Sequence, residues 1–451
     1  MTALQDLLRT SSSREGVRRV LGNFSWLLVD RLLRIAVGLI VGIWIARHLG
    51  PGDFGRLNYA TALVALFAAI IPLGLDGIVV RELVRDPPGN HRLLLTAIGL
   101  RASAVTLSLS LLCGYLLLFP QPGDAVLIIT LVVAAGLVLQ PLDSLDLYFQ
   151  SRSEMGRVVV PRSLLFVATS VVKVMLIAKG FDVLWFAALL ALESLVASLC
   201  VLVVYLRDAG RPAHLGIDWR LGMNLLRQSW PLLLSGVSVM IYMKLGQLML
   251  GMMLGQEQLG AYSAALRVSE AGYFVPMILA SSVLPALVKS QDHGPKTYTR
   301  RLALYFDASA LVAYALAIPS TLFASQIVAV LYGPDYAGAA PMLAVGAWAG
   351  IFVFLGVARG QFLINEGLLR FSLLSTLSGV AVNIVANLLL IPVAGGVGCA
   401  VATILSQATS AVISSFFHAG TRRIGRLQLR ALAAPVYYAV ALFRRRLPDP
   451  A

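Results

Sequence analysis

Residues 183–206 read VLWFAALLALESLVASLCVLVVYL, a run of 24 amino acids in which Glu193 is the one charged side chain. About 20 apolar residues in a helix cross the hydrocarbon core of a bilayer, so this run is predicted to span a membrane. The rest of the 451-residue chain is similar, with 58% hydrophobic residues, 13% charged residues and a mean hydropathy of +0.83. Soluble proteins contain about 25% charged residues. The composition therefore excludes an ordinary soluble enzyme.

Apolar runs of spanning length recur along the whole chain. They lie at residues 22–46, 58–80, 94–119, 124–149, 158–178, 183–206, 229–254, 261–288, 303–325, 337–358, 371–392 and 396–417. The sequence therefore predicts an all-α polytopic membrane protein with about twelve transmembrane helices.

The basic residues are distributed unequally between the predicted connectors. Of the 36 Lys and Arg, 27 fall in the N-terminal tail, in every second connector and in the C-terminal tail, whereas the opposite connectors contain Arg47, Arg56 and Lys179. Because cytoplasmic loops carry the excess of Lys and Arg, both termini are predicted to be cytoplasmic. The net charge of +14 thus reflects topology. No nucleic-acid partner is expected, because no basic run is interleaved with stacking aromatic residues.

A shift of 204 or 205 residues relates landmarks in the two halves of the chain. Ser25-Trp26 recurs as Ser229-Trp230, Leu49-Gly50-x4-Gly55 as Leu254-Gly255-x4-Gly260, and Pro72 as Pro276. Two six-helix lobes in the same orientation, around a central cleft, are typical of transporters built from parallel repeats. The alternative is that glycine-rich turns between membrane helices simply resemble one another.

The repeat predicts a division into lobes. We expect an N-terminal lobe at 1–208, a cytoplasmic linker at 209–228, a C-terminal lobe at 229–418 and a basic cytoplasmic tail at 419–451. Within the tail, the apolar stretch 431–442 is too short to cross a bilayer and is either an interfacial segment or part of a disordered tail.

With Arg162, at the start of the span 158–178, counted in the connector before it, six basic residues remain inside predicted spans: Arg31, Arg34, Arg101, Lys173, Lys244 and Arg267. Each would cost roughly 2.5–3.5 kcal/mol near the bilayer centre if it faced lipid. Arg31 and Arg34 share one polar helix face with Asp30, which can pair with Arg34, and Lys244 has no acid three or four residues away. A cavity role is therefore favoured for Arg31, Arg34 and Lys244. Arg267 either lines a cavity or pairs with Glu270, Lys173 is expected to snorkel to the outer surface, and Arg101 is expected to be interfacial.

The acids in predicted spans are fewer than the cations. Asp30, Glu193 and Glu270 lie deepest and are candidates for coupling to protons or sodium, whereas Asp76, Asp143, Asp146 and Asp307 lie near predicted cytoplasmic ends. A cleft with more fixed cations than anions favours an anionic ligand such as phosphate or pyrophosphate.

The sequence lacks enzyme signatures and predicts no metal or cofactor. The five histidines lie in connectors or at helix ends, and Cys113, Cys200 and Cys399 have no second ligand at metal spacing. The chain also has no phosphate-binding glycine loop of the ATPase type. The pair Asp143-x-x-Asp146 could hold a metal–pyrophosphate group in prenyl-transfer chemistry, but one such pair is weak evidence.

Four motifs carry a family resemblance: residues 46–55 (ARHLGPGDFG), 74–83 (GLDGIVVREL), 149–155 (FQSRSEM) and 260–265 (GAYSAA). Through them, nearly the whole chain resembles the polysaccharide flippases that move O-antigen or exopolysaccharide repeat units. These flippases lie within the multidrug/oligosaccharidyl-lipid/polysaccharide exporter superfamily.

The resemblance implies a flippase of the bacterial cytoplasmic (inner) membrane for undecaprenyl-pyrophosphate-linked oligosaccharides. It implies alternating access, with Arg31, Arg34, Lys244 and Arg267 as candidates for holding pyrophosphate or acidic sugars. Coupling to H+ or Na+, and a polysaccharide polymerase and glycosyltransferases as partners, are further expectations. Family members often carry an acid where this chain has Gly246, so either Asp30 or Glu193 would have to couple transport to an ion here, or coupling would work in another way.

Three alternatives remain open from the sequence. A multidrug exporter of the same fold is the nearest, although a cationic cleft disfavours cationic drugs. A polytopic glycosyltransferase, polymerase or ligase would be expected to have a larger outward loop than the roughly dozen residues predicted here. The third alternative is a scaffolding membrane component of the same pathway.

Overall fold

The structure is a computed structural model that describes residues 14–85, 91–119, 121, 123–209, 216–291, 294–366 and 368–443. Every regular element in these ranges is a helix. The side chains of residues 14–32 are outside the described part of the molecule.

The helices follow one another closely along the chain. They are α1 (Arg14–Ala68), α2 (Asp76–Arg85), α3 (His91–Leu118), α4 (Asp124–Ala135), α5 (Asp146–Ser151), α6 (Gly156–Ala178), α7 (Val183–Ala209), α8 (Trp219–Leu254), α9 (Gln256–Glu270), α10 (Val275–Gln291), α11 (Pro295–Leu322), α12 (Ala324–Tyr332), α13 (Ala339–Gly346), α14 (Ala349–Asn365), α15 (Leu369–Ala411), α16 (Arg422–Leu432) and α17 (Ala434–Phe443). Short 3₁₀ helices lie at Gln140–Leu145, Pro334–Tyr336, Ile413–Phe416 and Ala419–Thr421.

Within the described ranges, nine segments are long and apolar enough to cross a membrane. Two of these segments, Leu33–Ala68 and Arg370–Phe416, each overlap two of the predicted spans. The predicted span at 261–288 is instead formed by α9 and α10, which have 15 and 17 residues. The nine segments therefore agree with a prediction of about twelve spans.

Leu33–Ala68 and Arg370–Phe416 each contain a glycine whose backbone dihedral angles are not helical. Gly50 interrupts α1 with φ 71° and ψ 171°, and Gly395 interrupts α15 with φ 56° and ψ −135°. Pro51 then occupies the first turn of the restarted helix, where its missing N–H has no helical partner to lose. The second span consequently begins at residue 51 rather than at the predicted residue 58.

The described residues divide into two compact units. Unit 1 contains Met1–His48 and Phe67–Gly236, and unit 2 contains Leu49–Leu66 and Val237–Ala451. The core of unit 1 is built from residues of α2, α3, α5 and α7 together with the 3₁₀ helix at Gln140–Leu145, and that of unit 2 from α10, α11, α14 and α16. The predicted lobe boundaries differ from this division and stay a prediction.

Unit 2 contains a reciprocal contact between two segments related by the 205-residue shift. A Cβ atom on Gly55 would collide with the backbone oxygen of Gln256, and one on Gly260 would collide with the backbone oxygen of Pro51. Under the shift, Pro51 corresponds to Gln256 and Gly55 to Gly260. The contact therefore has approximate two-fold symmetry, which supports a true internal repeat.

The glycines preceding these segments also have matching backbones. Gly255 has φ 89° and ψ 175°, close to the values at Gly50, its counterpart under the shift. A positive φ is favoured only for glycine, so both copies need glycine at this position.

Candidate functional site

The first charged cluster lies in unit 1 and comprises Arg34 on α1, Phe166 and Lys173 on α6, and Glu193 on α7. Lys173 Nζ donates a hydrogen bond to Glu193 Oε2 at 2.6 Å. The guanidinium carbon of Arg34 lies 5.1 Å from the centroid of the Phe166 ring, and Lys173 Nζ lies 5.9 Å from it. The negative face of an aromatic ring attracts cations, so Phe166 helps to hold two positive charges, of which Lys173 is paired with Glu193.

The second charged cluster lies in unit 2 and comprises Lys244 on α8 with Arg267 and Glu270 on α9. The Glu270 carboxylate is close enough to interact electrostatically with both Lys244 and Arg267. All three side chains are half-buried. The structure therefore adds Lys244 to Arg267 and Glu270, whose spacing along one helix had already indicated a possible pair.

Aromatic side chains surround the Arg267 end of the second cluster. The guanidinium carbon lies 5.4 Å from the centroid of the buried Phe54 ring. Tyr336 meets that ring edge-on at a centroid distance of 6.3 Å, and the Tyr332 ring lies 5.3 Å from Tyr336. Phe54 thus fixes one side of the guanidinium, which orients its N–H groups.

The second cluster contains two basic side chains and one acid, so its formal charge is +1. Charges are screened weakly in a low-dielectric environment, and a net cation among membrane helices attracts anions strongly. A phosphate or pyrophosphate ester would compete with the carboxylate for the two cations of this cluster.

The predicted site residues fall in different parts of the molecule. Arg34 and Glu193 lie in unit 1, whereas Lys244, Arg267 and Glu270 lie in unit 2. The side chains of Asp30 and Arg31 lie outside the described residues. That these residues act together in one cleft stays a prediction.

Two basic side chains, Lys173 and Arg101, are buried and paired with acids from other helices. Lys173 is 7% exposed and paired with Glu193, and Arg101 is 6% exposed and paired with Asp76. Arg101 also donates to the carbonyl oxygen of Pro72 at 3.4 Å. The snorkelling prediction for Lys173 was wrong because its acid partner lies on a different helix, which spacing along a single helix cannot indicate. That Arg101 is interfacial stays a prediction.

A charge network in unit 1 was not identified from the sequence. Arg162 pairs with Asp143 at 2.7 Å and also with Asp146, and Ser198 Oγ donates to Asp143 at 3.1 Å. Arg162 was assigned to a cytoplasmic connector, but α6 begins at Gly156 and includes it. Arg162 thus binds both carboxylates that were considered for a metal–pyrophosphate site. Among the described residues, no group of three or more His, Cys, Asp or Glu is placed to hold a metal.

Arg359 is a second basic residue that the sequence analysis assigned to a connector. It lies within α14 and is 3% exposed. Its guanidinium donates to the Ser414 hydroxyl at 2.9 Å, to the Ser375 hydroxyl at 2.6 Å and to the carbonyl of Ser410. Arg359 therefore joins α14 to both ends of α15 and the turn that follows it.

The structure also explains why glycine occupies position 246. A Cβ atom at Gly246 would lie 2.9 Å from Cys399 Sγ and 3.5 Å from the side-chain amide of Asn387. Asn387 is itself fixed by its hydrogen bond to the carbonyl of Asn383 at 2.8 Å. An acidic side chain at this position would have to displace these neighbours, so coupling through residue 246 does not fit the packing here.

The sequence matches the family described as polysaccharide biosynthesis protein over residues 20–291, more than half of the chain. It is also 26% identical over 402 residues to "Probable flippase AglR" of Haloferax volcanii, an alignment that covers 84% of this chain and 79% of that protein. The resemblance noted from the motifs is thereby confirmed at the level of the family.

Two solved structures share the fold. A structure described as lipid II flippase MurJ in an inward closed conformation has a TM-score of 0.67 at 10% identity, covering 94% of this chain and 93% of that one. An inward-facing multidrug resistance MATE family transporter of the MOP superfamily has a TM-score of 0.65 at 16% identity, covering 90% and 99%. The predicted fold class, a multi-pass helical membrane protein, is confirmed.

Proposed function

Because the chain belongs to the polysaccharide biosynthesis protein family, we propose that it is a flippase that carries lipid-linked oligosaccharides across the membrane. The observation that carries this proposal is the excess cation in the second charged cluster. A lipid-linked sugar has an anionic phosphate or pyrophosphate at the junction of lipid and glycan, and this group needs a cationic partner inside the membrane.

The substrate is proposed to be an undecaprenyl-pyrophosphate-linked repeat unit for cell-surface polysaccharide, such as O-antigen or exopolysaccharide. Lys244 and Arg267 are proposed to bind the pyrophosphate, with Arg34 and Arg31 contributing from the first half of the chain. Arginine binds phosphate oxygens in a bidentate manner, and lysine acts as a point charge. The proposed location is the bacterial inner membrane with both termini in the cytoplasm. A polysaccharide polymerase and glycosyltransferases are proposed as partners.

Transport is proposed to proceed by alternating access, coupled to H+ or Na+ through Asp30, Glu193 or Glu270. Among the acids whose side chains are described, Glu270 is favoured because it interacts with two cations. Protonation of Glu270 would change the formal charge of the second cluster from +1 to +2. Its protonation state would therefore set the affinity of that cluster for an anion.

A direct test uses the purified full-length protein in liposomes that contain an undecaprenyl-pyrophosphate-linked disaccharide with a fluorophore on the sugar. A membrane-impermeant quencher destroys only outward-facing fluorophore. We expect quenching to rise from about half of the signal in protein-free vesicles toward completion with wild type, because flipped lipid becomes accessible. The Lys244→Gln and Arg34→Gln variants should flip at least about ten-fold more slowly, since each loses a charge-assisted contact worth about 1.5–3 kcal/mol.

The matched control is Lys179→Gln, which removes an exposed lysine from a predicted outer connector and should retain wild-type flipping. Unchanged rates in both cluster variants, with wild type active, would contradict the proposed site. If wild type left the lipid in place but exported a cationic dye, the protein would be a multidrug exporter. A change in the disaccharide itself would indicate an enzyme.

A further inference from the structure

Helix α16 is fixed to unit 2 by one of its faces. The buried residues of this face are Ile424, Gly425, Leu427, Gln428 and Ala431. Gln428 donates to the carbonyl of Ala411 at 2.8 Å and accepts from the Ser415 hydroxyl at 3.1 Å. A Cβ atom on Gly425 would lie 2.8 Å from the Phe416 ring, so the helix approaches that ring closely. The protein itself, rather than a lipid, therefore sets the orientation of α16.

The opposite side of α16 presents exposed arginines. We define the basic face as Arg422, Arg423 and Arg426, all of which are exposed. At 3.6 residues per turn, these side chains project within an arc of about 100°. Arg422 also donates through Nε to the carbonyl of Phe416 at 3.2 Å, and this bond orients its guanidinium.

The fourth arginine of the helix has a different environment. Arg430 is half-buried, lies 3.8 Å from the Asp307 carboxylate and stacks over Tyr437 with its guanidinium carbon 5.5 Å from the ring centroid. Its charge is thus balanced within the protein, and Arg430 is not part of the basic face.

Exposed apolar side chains lie beside the basic face. Phe417 is 77% exposed and directly follows the membrane-spanning segment Arg370–Phe416. Leu429, on α16 itself, is 51% exposed and projects about 20° from Arg422. The surface therefore begins where the chain leaves the hydrocarbon, and it combines guanidinium groups with apolar side chains. An acidic protein partner would explain only the arginines, whereas a lipid also provides acyl chains.

We propose that the basic face binds anionic glycerophospholipids, with lipid phosphates on the guanidinium groups and acyl chains against Phe417 and Leu429. Arginine is suited to this role because its planar N–H groups match phosphate oxygens. Each basic residue near an anionic membrane surface increases the affinity of the protein for that surface roughly five-fold. The rigid attachment of α16 keeps the three arginines together before a lipid arrives, which reduces the entropic cost of binding. This site is separate from the charged clusters and does not depend on flippase activity.

The experiment compares full-length wild type with Arg422→Gln/Arg423→Gln/Arg426→Gln. Both proteins are reconstituted in vesicles of equal phosphatidylglycerol and phosphatidylcholine and extracted gently, and the retained lipids are quantified by mass spectrometry. Thermal unfolding is followed in parallel with and without phosphatidylglycerol. Wild type should retain phosphatidylglycerol preferentially and melt at a higher temperature in its presence. The triple variant should lose about ten-fold or more of this preference.

Two further variants separate the effect of this site from the effects of net charge and of poor folding. Arg207→Gln/Arg220→Gln/Arg227→Gln removes three exposed arginines elsewhere and should retain the wild-type preference if the site, rather than net charge, is responsible. Replacing the basic face with lysines preserves the charge and should retain most of the preference even if the Gln variant folds poorly. Equal phosphatidylglycerol retention by wild type and both basic-face variants would overturn the proposal. Absence of any preference in wild type would also overturn it and would favour an acidic protein partner.

Discussion

At the scale of single residues, Gly55 and Gly260 have the most restricted environments among the repeat-related positions. Each faces a backbone oxygen of the other segment so closely that no Cβ atom fits, and backbone atoms cannot rotate away as a side chain can. The two helix segments would have to separate to accommodate even a methyl group. The contact therefore depends on glycine at both positions.

We expect Gly55→Ala and Gly260→Ala each to destabilise the protein by about 1–3 kcal/mol or more, because overpacking at a backbone contact forces the helices apart. Thermal unfolding of the purified variants in detergent measures the effect. Gly52→Ala is the matched control, since nothing lies within 4 Å of its Cβ position and its backbone is helical. That control should be neutral or slightly stabilising, because alanine favours helix over glycine. A melting temperature for Gly55→Ala equal to that of Gly52→Ala would contradict the proposed contact.

Lys173 and Glu193 form an ion pair in which the lysine is buried and the glutamate is half-buried. Replacing Lys173 with Met should destabilise the protein by about 3–5 kcal/mol, because the Glu193 carboxylate would be left without its cation. Adding Glu193→Gln should recover most of that loss, since the neutral amide is cheaper to bury. Unfolding measurements on the two single variants and the double variant form the cycle. Additive effects would show that the two side chains do not interact.

The same pair illustrates what the sequence could reveal about the site. Spacing along one helix indicated that Arg267 and Glu270 are neighbours, and the structure places them together with Lys244. Lys173 was misplaced, and the partner of Arg101 was not predicted, because their acids, Glu193 and Asp76, come from other helices. Pairing between helices depends on tertiary packing, which periodicity does not report.

At the scale of elements, the start of α8 provides a pH-dependent interaction outside the membrane-spanning segments. Asp218 precedes the helix and accepts hydrogen bonds from the backbone N–H groups of Arg220 at 3.0 Å and Leu221 at 3.1 Å. Arg92 lies 3.0 Å from its other carboxylate oxygen. The backbone N–H of Leu221 is the largest cause that lowers the pKa of Asp218 from its ordinary value of 3.8, and the charge of Arg92 adds to it.

Because the folded state lowers this pKa, ionised Asp218 stabilises the fold at pH values above 3.8, and the contribution is lost as pH falls through the lower, folded-state pKa. We expect Asp218→Asn to melt at a lower temperature than wild type near neutral pH, where Asn keeps a capping group but no charge. The difference in melting temperature between wild type and Asp218→Asn should persist down to pH 4 and shrink below pH 4. Melting temperatures measured from pH 7 to pH 3 test this, and a difference that vanishes already at pH 6 would show that another group is responsible.

Most helices could be predicted because the length of an apolar run and the turn residues that bound it can be read from adjacent positions in the sequence. The run from Val183 ends within three residues of its predicted end. Breaks were harder to predict. Gly50-Pro51 combines two residues that interrupt helices, yet the helix restarts at once and the second span lies earlier than expected. The break at Gly395 depends on a backbone conformation with positive φ, which the sequence permits but does not specify.

At the scale of the whole molecule, the repeat was visible in the sequence, but its physical consequence was not. Landmarks at a constant shift indicate two similar halves. They do not indicate that Leu49–Leu66, from the first half, packs within the second compact unit. The contact of Gly55 and Gly260 provides the reason, since it joins corresponding segments of the two copies inside unit 2.

This packing predicts that the chain can be divided without losing the assembly. If it is cut between residues 212 and 213 and both parts are expressed together, the first fragment supplies Leu49–Leu66 to a unit otherwise formed by the second. We expect the fragments to copurify through an affinity tag on either one, because Phe54 and Tyr59 of that segment are buried within unit 2. Gly260→Leu should reduce copurification by about ten-fold or more, since a clash that costs 1.4 kcal/mol or more changes an equilibrium by that factor. Gly52→Leu in the first fragment, where the Cβ position is open, should leave copurification unchanged. Equal recovery with Gly260→Leu and Gly52→Leu would mean that the two halves associate without this contact.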